Sequence, residues 1–349
     1  VAVDEELLRA LPKVDLHRHL EGSARVETVV DFAKEFGVEL PTYDPDELRP
    51  HVEVTKDNPP DFHSFLSKFM FLRKLYPSRE AIQRVAYECV EDAALDNVRY
   101  LEIRFSPAHF ASRRQFPVED VAGWVEESVR KGEKDFGVRV GLIITLGRNY
   151  GIEGNASSAE IALRDGGRHY VGLDLAGDEI NFPAEPFKPF FDRAKVSGMG
   201  ITVHAGEAAG PESVRLAVFD LHAQRIGHGI RVVGDPSLVE YCREHRIAFE
   251  VCPCSNLRTG VSTLATHPLK QLVEAGLLVS IGSDDPRISA TTLSDDYAVA
   301  TNDLGLSLDQ LVQVILNGVE ASFLPPAEKA RLREQMQREI SETIEKRGR

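Results

Sequence analysis

GITVHAGEAAGPESVRLAVFDLHAQRIGHGI, residues 200–230, sets two short apolar runs on either side of a helical stretch. GITVHAGE at 200 and AQRIGHGI at 223 each read as a buried strand, and each ends in a histidine, His204 or His228. PESVRLAVFDLH between them has the length and periodicity of a helix. Two strands joined through a helix lie parallel, because an antiparallel pair needs only a short turn.

The same plan extends outward in both directions. Upstream, KVDLH at 13 precedes SARVETVVDFAKEFG, VRYLEIRFSP at 98 precedes VEDVAGWVEESVRKGEKDFG, VRVGLIITLG at 138 precedes SSAEIALRDGG, and YVGLDLAGDE at 170 precedes EPFKPFFDRAKVSG. Downstream, DPSLVEYCREH follows the strand at 223, RIAFEVCPCSN at 246 precedes HPLKQLVEAG, and LLVSIGSDDP at 277 precedes TTLSDDYAVATNDLG. Eight strand-then-helix units in order are the number that closes a (β/α)8 barrel, the TIM-barrel architecture. A doubly wound sheet is the alternative. Helices at 308–318 and 326–345 are expected to pack outside.

Residues 38–78 are an insertion after the first unit. Its DFHSFLSKFMFLRKLY places Phe62, Phe65, Leu66 and Phe69 on one helical stripe. Such a stripe is either plain core or, above a barrel mouth, an apolar lid with Phe65 and Leu66 against a substrate; the lid is the expectation here. No repeat, linker, P-loop or GxGxxG fingerprint divides the chain, so residues 1–349 are expected to form one domain.

Composition narrows the function. A chain of 349 residues, 42% hydrophobic and 28% charged, can bury a sizeable core. Its net charge of −14 supplies no cationic face for nucleic acid, and the basic EKRGR at the C-terminus reads as a solvated tail. There is no apolar run long enough to span a bilayer, and VAVDEELLRALPK at the start carries acids where a signal peptide carries bases. A cytoplasmic enzyme without membrane contact is expected. Four unevenly spaced cysteines, at 89, 242, 252 and 254, read as reduced thiols rather than a disulfide or zinc-thiolate framework.

Seven ionisable residues fall at one phase of the units. His17 and His19 end the first strand, His204 and Glu207 the fifth, His228 the sixth, and Asp284 and Asp285 the eighth. In a barrel these ends share one mouth. A period of two puts His17 and His19 on the same face of their strand, both able to aim at one ion. With His204 and one aspartate they make three nitrogens and an oxygen, a set that suits Zn²⁺, with Fe²⁺ or Co²⁺ as substitutes.

VDLHRHLEG, LEIRFSP, VGLDLAGDE, VHAGE, RIGHGI, CPCSN and SIGSDDP followed by TTLSDDY resemble, in order, the motifs of the adenosine deaminase family within the amidohydrolase superfamily. The resemblance implies that His17, His19, His204 and Asp284 bind zinc and that Glu207 shuttles a proton. It further implies that His228 and Asp285 hold and polarise the attacking water, and that the Gly177 N–H meets a purine ring nitrogen. The chemistry is consistent with these roles. Water attacking C6 of an aminopurine breaks ring aromaticity, so it needs activation by the metal, while an acid protonates the ring nitrogen. Binuclear relatives carry a bridging lysine at the end of strand four, and VGLDLAGDEINFP has none, so one zinc per chain is expected.

The substrate side is less uniform. Glu21 stands where typical adenosine deaminases carry an aspartate that meets the sugar hydroxyl. It could contact substrate or pair with Arg18 or Arg104, and Ser106 could touch substrate or cap a turn. Asp178 and Glu179 read as helix-start or surface acids. The expected reaction is hydrolytic deamination of adenosine or 2′-deoxyadenosine. Alternatives are a modified adenosine such as aminodeoxyfutalosine, or free adenine. An inactive deaminase-like binding protein would have lost a ligand or the shuttle acid, and neither is missing. A cyclic-amide hydrolase would carry the bridging lysine and lack the HAGE glutamate.

Overall fold

The computed structural model describes residues 3–73, 76–112, 114–164 and 169–347. The ends of two helical stretches read from the sequence, at 74–75 and 165–167, and residues 348–349 of the basic C-terminus lie outside the described residues. The apolar runs form eight strands: β1 (Lys13–His19), β2 (Val98–Phe105), β3 (Arg139–Gly147), β4 (Gly172–Ala176), β5 (Gly200–Ala205), β6 (Arg225–His228), β7 (Ala248–Val251) and β8 (Leu278–Ile281). They pair in sequence order, each parallel to the next. A parallel bridge between Arg18 and Asp284 joins β1 to the segment just after β8. There the Asp284 N–H donates to His17 O at 2.7 Å, and the His19 N–H to Asp284 O at 2.8 Å. The ring is thereby closed into a (β/α)8 barrel; a doubly wound sheet would leave two edges.

The strands alternate in what they bury. In β2, Leu101, Ile103 and Phe105 belong to the apolar cluster, while Glu102 and Arg104 are fully buried in ion pairs. Inside the barrel, charge replaces much of the usual branched aliphatic filling. Glu250 of β7 is held by Arg104 at 2.6 Å, Arg225 Nε at 2.5 Å, His17 Nδ1 at 2.8 Å and Thr202 Oγ1 at 3.1 Å. A buried carboxylate is tolerable only with partners of this number and quality.

The insertion forms two helices, Pro45–Val52 and Phe62–Leu72, before the helix Arg79–Leu95 that packs on β2. Asp61 caps the second, accepting the Ser64 N–H at 2.5 Å. Its aromatic stripe is both core and cavity wall: Phe65 is buried, and Phe62, Phe65, Leu66 and Phe69 line the space at the barrel mouth.

After β8 the chain makes only a six-residue helix, Leu293–Ala298, and one π-helical turn, too short to cover a barrel face. That place is taken by Leu308–Ala321, which starts at a Ser307–Gln310 capping box and packs on both β8 and β1. Pro326–Arg347 then lies against it. Among the described residues no helix is long and apolar enough to cross a membrane.

Candidate active site

The strand ends open into a cavity of about 360 Å³. His19, Ser106, Thr145, Gly177, His204, Glu207, Asp284 and Asp285 line it from the barrel, and the Phe62–Leu72 helix covers it with apolar side chains.

His17, His19, His204 and Asp284 offer four donor atoms within 4.8 Å of one another. His19 Nε2 is 3.1 Å from His204 Nε2. Asp284 Oδ1 is 3.3 Å from His17 Nε2 and 3.4 Å from His19 Nε2. Ligands about 2.0–2.1 Å from a tetrahedral zinc stand roughly 3.3 Å apart, so these edges fit such an ion. Moreover, His17 Nε2 is buried without a hydrogen-bond partner, as expected of a nitrogen aimed at an ion rather than at a neighbour. The residues present therefore fit a single metal. A second group of donors, His228, Cys252 and Asp284, shares the same aspartate. Burial pushes the Cys252 thiol well up, which makes it a poor thiolate ligand.

Two carboxylates orient the imidazoles from behind. Glu250 meets His17 Nδ1 at 2.8 Å and Asp174 meets His204 Nδ1 at 3.1 Å, which leaves both Nε2 atoms facing the centre. Arg104 ties the two carboxylates together, 2.6 Å from Glu250 and 3.4 Å from Asp174. Burial opposes ionisation of Asp284, yet the close imidazole of His17, 3.3 Å away, and then those of His228 and His19 hold its carboxyl well below the usual range. Asp284 and His228 also adopt left-handed backbone, with φ of 56° and 60°. Such strain costs about 1–3 kcal/mol per residue and persists where surrounding structure enforces it.

Glu207, His228 and Asp285 sit beside this cluster. Burial, and then the charges of Asp284 and Glu179, push the Glu207 carboxyl well above its ordinary value. That shift favours the protonated acid. His228 Nε2 lies 3.7 Å from Glu207 Oε2 and 3.9 Å from Asp284 Oδ2. Burial, and then the charge of Asp284, push Asp285 well up, and its Oδ1 has no protein partner. Gly22 makes room for that side chain, since a Cβ at position 22 would fall 2.0 Å from Asp285 Oδ1.

Glu21 pairs with neither arginine. Arg18 bonds Asp15, and Arg104 is taken by Glu250 and Asp174. Instead, Glu21 Oε1 accepts the Ser106 N–H at 2.7 Å, and Oε2 is buried without a partner beside the cavity. Burial pushes this carboxyl up to about 7. Ser106 does two things: its Oγ caps the helix Pro107–Ala111, and the residue lines the cavity. Gly177 also lines the cavity, at φ 109°, where a side chain would be strained and its Cβ would strike Asn149 Oδ1 at 2.7 Å.

Several supporting residues carry no assignment from the sequence: Asp174, Glu250, Asn256, His267 and Gly22. Asp174 and Glu250 had a usable signal, each being an acid inside an otherwise apolar strand. Asp178 behaves as a turn-start acid, accepting the Ile180 and Asn181 N–H groups. Glu179 is not a surface acid. Its carboxylate accepts the N–H groups of Gly206, Ala208 and Ala209 and the Ser213 hydroxyl, which fixes the loop that carries Glu207.

A closed parallel barrel with one His/Asp metal cluster and a buried acid at its mouth is the arrangement of a metal-dependent hydrolytic deaminase. The adenosine deaminase family model matches residues 12–339, and the chain belongs to that family. The adenosine deaminase of Klebsiella pneumoniae (strain 342) is 45% identical over 93% of this chain and 97% of its own length. That of Yersinia pseudotuberculosis serotype IB is 41% identical over 93% and 97%. Among solved structures, the adenine deaminase of Arthrobacter aurescens superposes with a TM-score of 0.87 at 28% identity, covering 96% of this chain and 100% of its own. A zinc-bound amidohydrolase from Burkhoderia ambifaria superposes with a TM-score of 0.89 at 25% identity, covering 99% and 96%.

Proposed function

We propose that this chain hydrolyses adenosine or 2′-deoxyadenosine at C6, releasing ammonia and leaving the 6-oxopurine nucleoside, with one zinc ion held by His17, His19, His204 and Asp284. The observation that carries this is the spacing of those four donors beside a buried glutamic acid, Glu207, in one apolar-walled cavity. The adenosine deaminase relatives at 41–45% identity support the substrate. The three-imidazole, one-carboxylate donor set and the zinc-bound neighbour support the ion.

Zinc, when bound, would lower the pKa of a water molecule and so supply the nucleophile near neutral pH. The protein's own residues do the rest. The Gly177 N–H donates to a ring nitrogen of the purine, and Phe65 and Leu66 pack on the base and exclude bulk water. Glu207 gives its proton to the neighbouring ring nitrogen as the C6–O bond forms. His228 and Asp285 hold the attacking water, whose proton ends on the departing amine. Glu21 Oε2 accepts a hydroxyl of the sugar. Residues 1–349 act as one domain, supported by a single cluster of buried apolar side chains from Leu8 to Ile340. Four free, buried cysteines support a cytoplasmic location.

The test follows the fall in the ultraviolet absorbance of the adenine ring on zinc-loaded protein, over adenosine, 2′-deoxyadenosine, 5′-substituted adenosines and free adenine. Turnover fastest on adenosine or its 2′-deoxy form supports the proposal. A preference for a 5′-substituted nucleoside or for adenine moves the chain to another branch of the family. No turnover on any of them ends the proposal.

A further inference from the structure

Behind His228, on the side away from the metal cluster, runs a chain of three polar contacts that the reaction above does not use. Asn256 Nδ2 lies 3.2 Å from His228 Nδ1. Asn256 Oδ1 lies 3.2 Å from His267 Nε2, and His267 Nδ1 receives the Leu269 N–H at 3.2 Å. Asn256 is fully buried and His267 nearly so, and neither lines the cavity.

The directions in this chain follow from its outer end. A backbone N–H can only donate, so His267 Nδ1 must carry a lone pair. Burial holds His267 down to about 4, so the ring is neutral near pH 7 and its one proton is on Nε2. From there it donates to the amide oxygen of Asn256. The Asn256 –NH₂ is thereby turned toward His228 and can only donate to Nδ1. A ring nitrogen that accepts carries no proton, so the proton of the His228 imidazole is on Nε2, the nitrogen that faces Glu207 and Asp284.

We propose that Asn256 and His267 are positioning residues that hold His228 in the one tautomer whose Nε2–H points into the site. In that state His228 donates a hydrogen bond to the oxygen of the attacking water and cannot take its proton. This rests on the reading of His228 as catalytic, but the tautomer can be measured without any substrate.

Long-range ¹H–¹⁵N correlation spectra of the zinc-loaded, histidine-labelled protein read the protonation of each ring nitrogen. Wild type should show His228 with an unprotonated Nδ1 and a protonated Nε2. In Asn256→Asp, nearly the same shape, the carboxylate only accepts. His228 Nδ1 should then gain a proton, and kcat should fall by about 10²-fold or more, as a wrong tautomer does elsewhere, with metal content unchanged. His267→Gln can still accept from Leu269 and donate to Asn256, and should keep wild-type tautomer and rate, whereas His267→Leu should lose both. The proposal is overturned if wild type carries its proton on Nδ1, if Asn256→Asp leaves the spectrum unchanged, or if His267→Gln is as impaired as His267→Leu. Inability of Asn256→Asp to fold would leave the wild-type spectrum and the His267 pair as the deciding measurements.

Discussion

Glu179 grips the backbone at Gly206, its Oε2 accepting that N–H at 3.0 Å, one residue before the acid Glu207. The contact acts on Glu207 in two ways. It fixes the loop, and it sets a negative charge where ionising Glu207 becomes harder.

Glu179→Gln tests both effects in the pH profile. If Glu207 is the acid proposed above, its protonated form is the active one, and the rate falls as pH rises through its folded-state pKa. Removing a like charge makes ionisation easier, so the alkaline limb of kcat should move to lower pH. Loosening the loop should also cut kcat about tenfold, the worth of one charge-assisted hydrogen bond. An unmoved or raised limb would contradict the electrostatic part.

Glu207→Gln removes the transferable proton while keeping the shape. Zinc content and melting temperature should stay near wild type, and kcat should fall by about 10²- to 10⁴-fold. Turnover within tenfold of wild type would remove the glutamate from the mechanism.

Glu250→Gln and Asp174→Asn weaken the acceptors behind His17 and His204. Metal affinity should drop by about 10- to 100-fold in each, read by competition with a chromophoric chelator. Glu250 also neutralises Arg104 and Arg225, so its variant should lose the more stability in a thermal melt. Equal melting temperatures for the two would argue against the interior ion network as a stabilising element. Metal analysis of the wild-type protein should give about one equivalent, the count of one four-donor site.

Glu21→Gln alters only the unpartnered acceptor on the cavity wall. If that oxygen meets the sugar, KM for adenosine should rise about tenfold with kcat little changed, and any slow turnover of free adenine should be unaffected. A drop in kcat without a change in KM would place Glu21 in the chemistry instead.

Most of the ring was legible because barrel strands are short apolar runs, and because the polar residues that end them break the pattern at the same phase, as at His19, His204, His228 and Asp284. The helix that serves β8 was harder to place. TTLSDDYAVATNDLG follows the strand directly, but its helix stops after six residues, and Leu308–Ala321 covers that face. Glu179 was misread for a related reason. In sequence an acid after a glycine looks like a helix start; only the fold brings Gly206 and Ala209 over it. Asn256 closes the CPCSN motif but carried no role there, and its link to His267 gave no signal, since an amide and a histidine eleven positions apart show no periodicity.

The seam of the barrel passes through the proposed metal site, where Arg18 meets Asp284 and the backbone of Asp284 is clasped between His17 and His19. During synthesis, a nascent chain that has not yet released this aspartate therefore owns three ligands and an unfinished wall. If these four residues hold the zinc proposed above, a C-terminally clipped product ending before residue 284 should emerge metal-free.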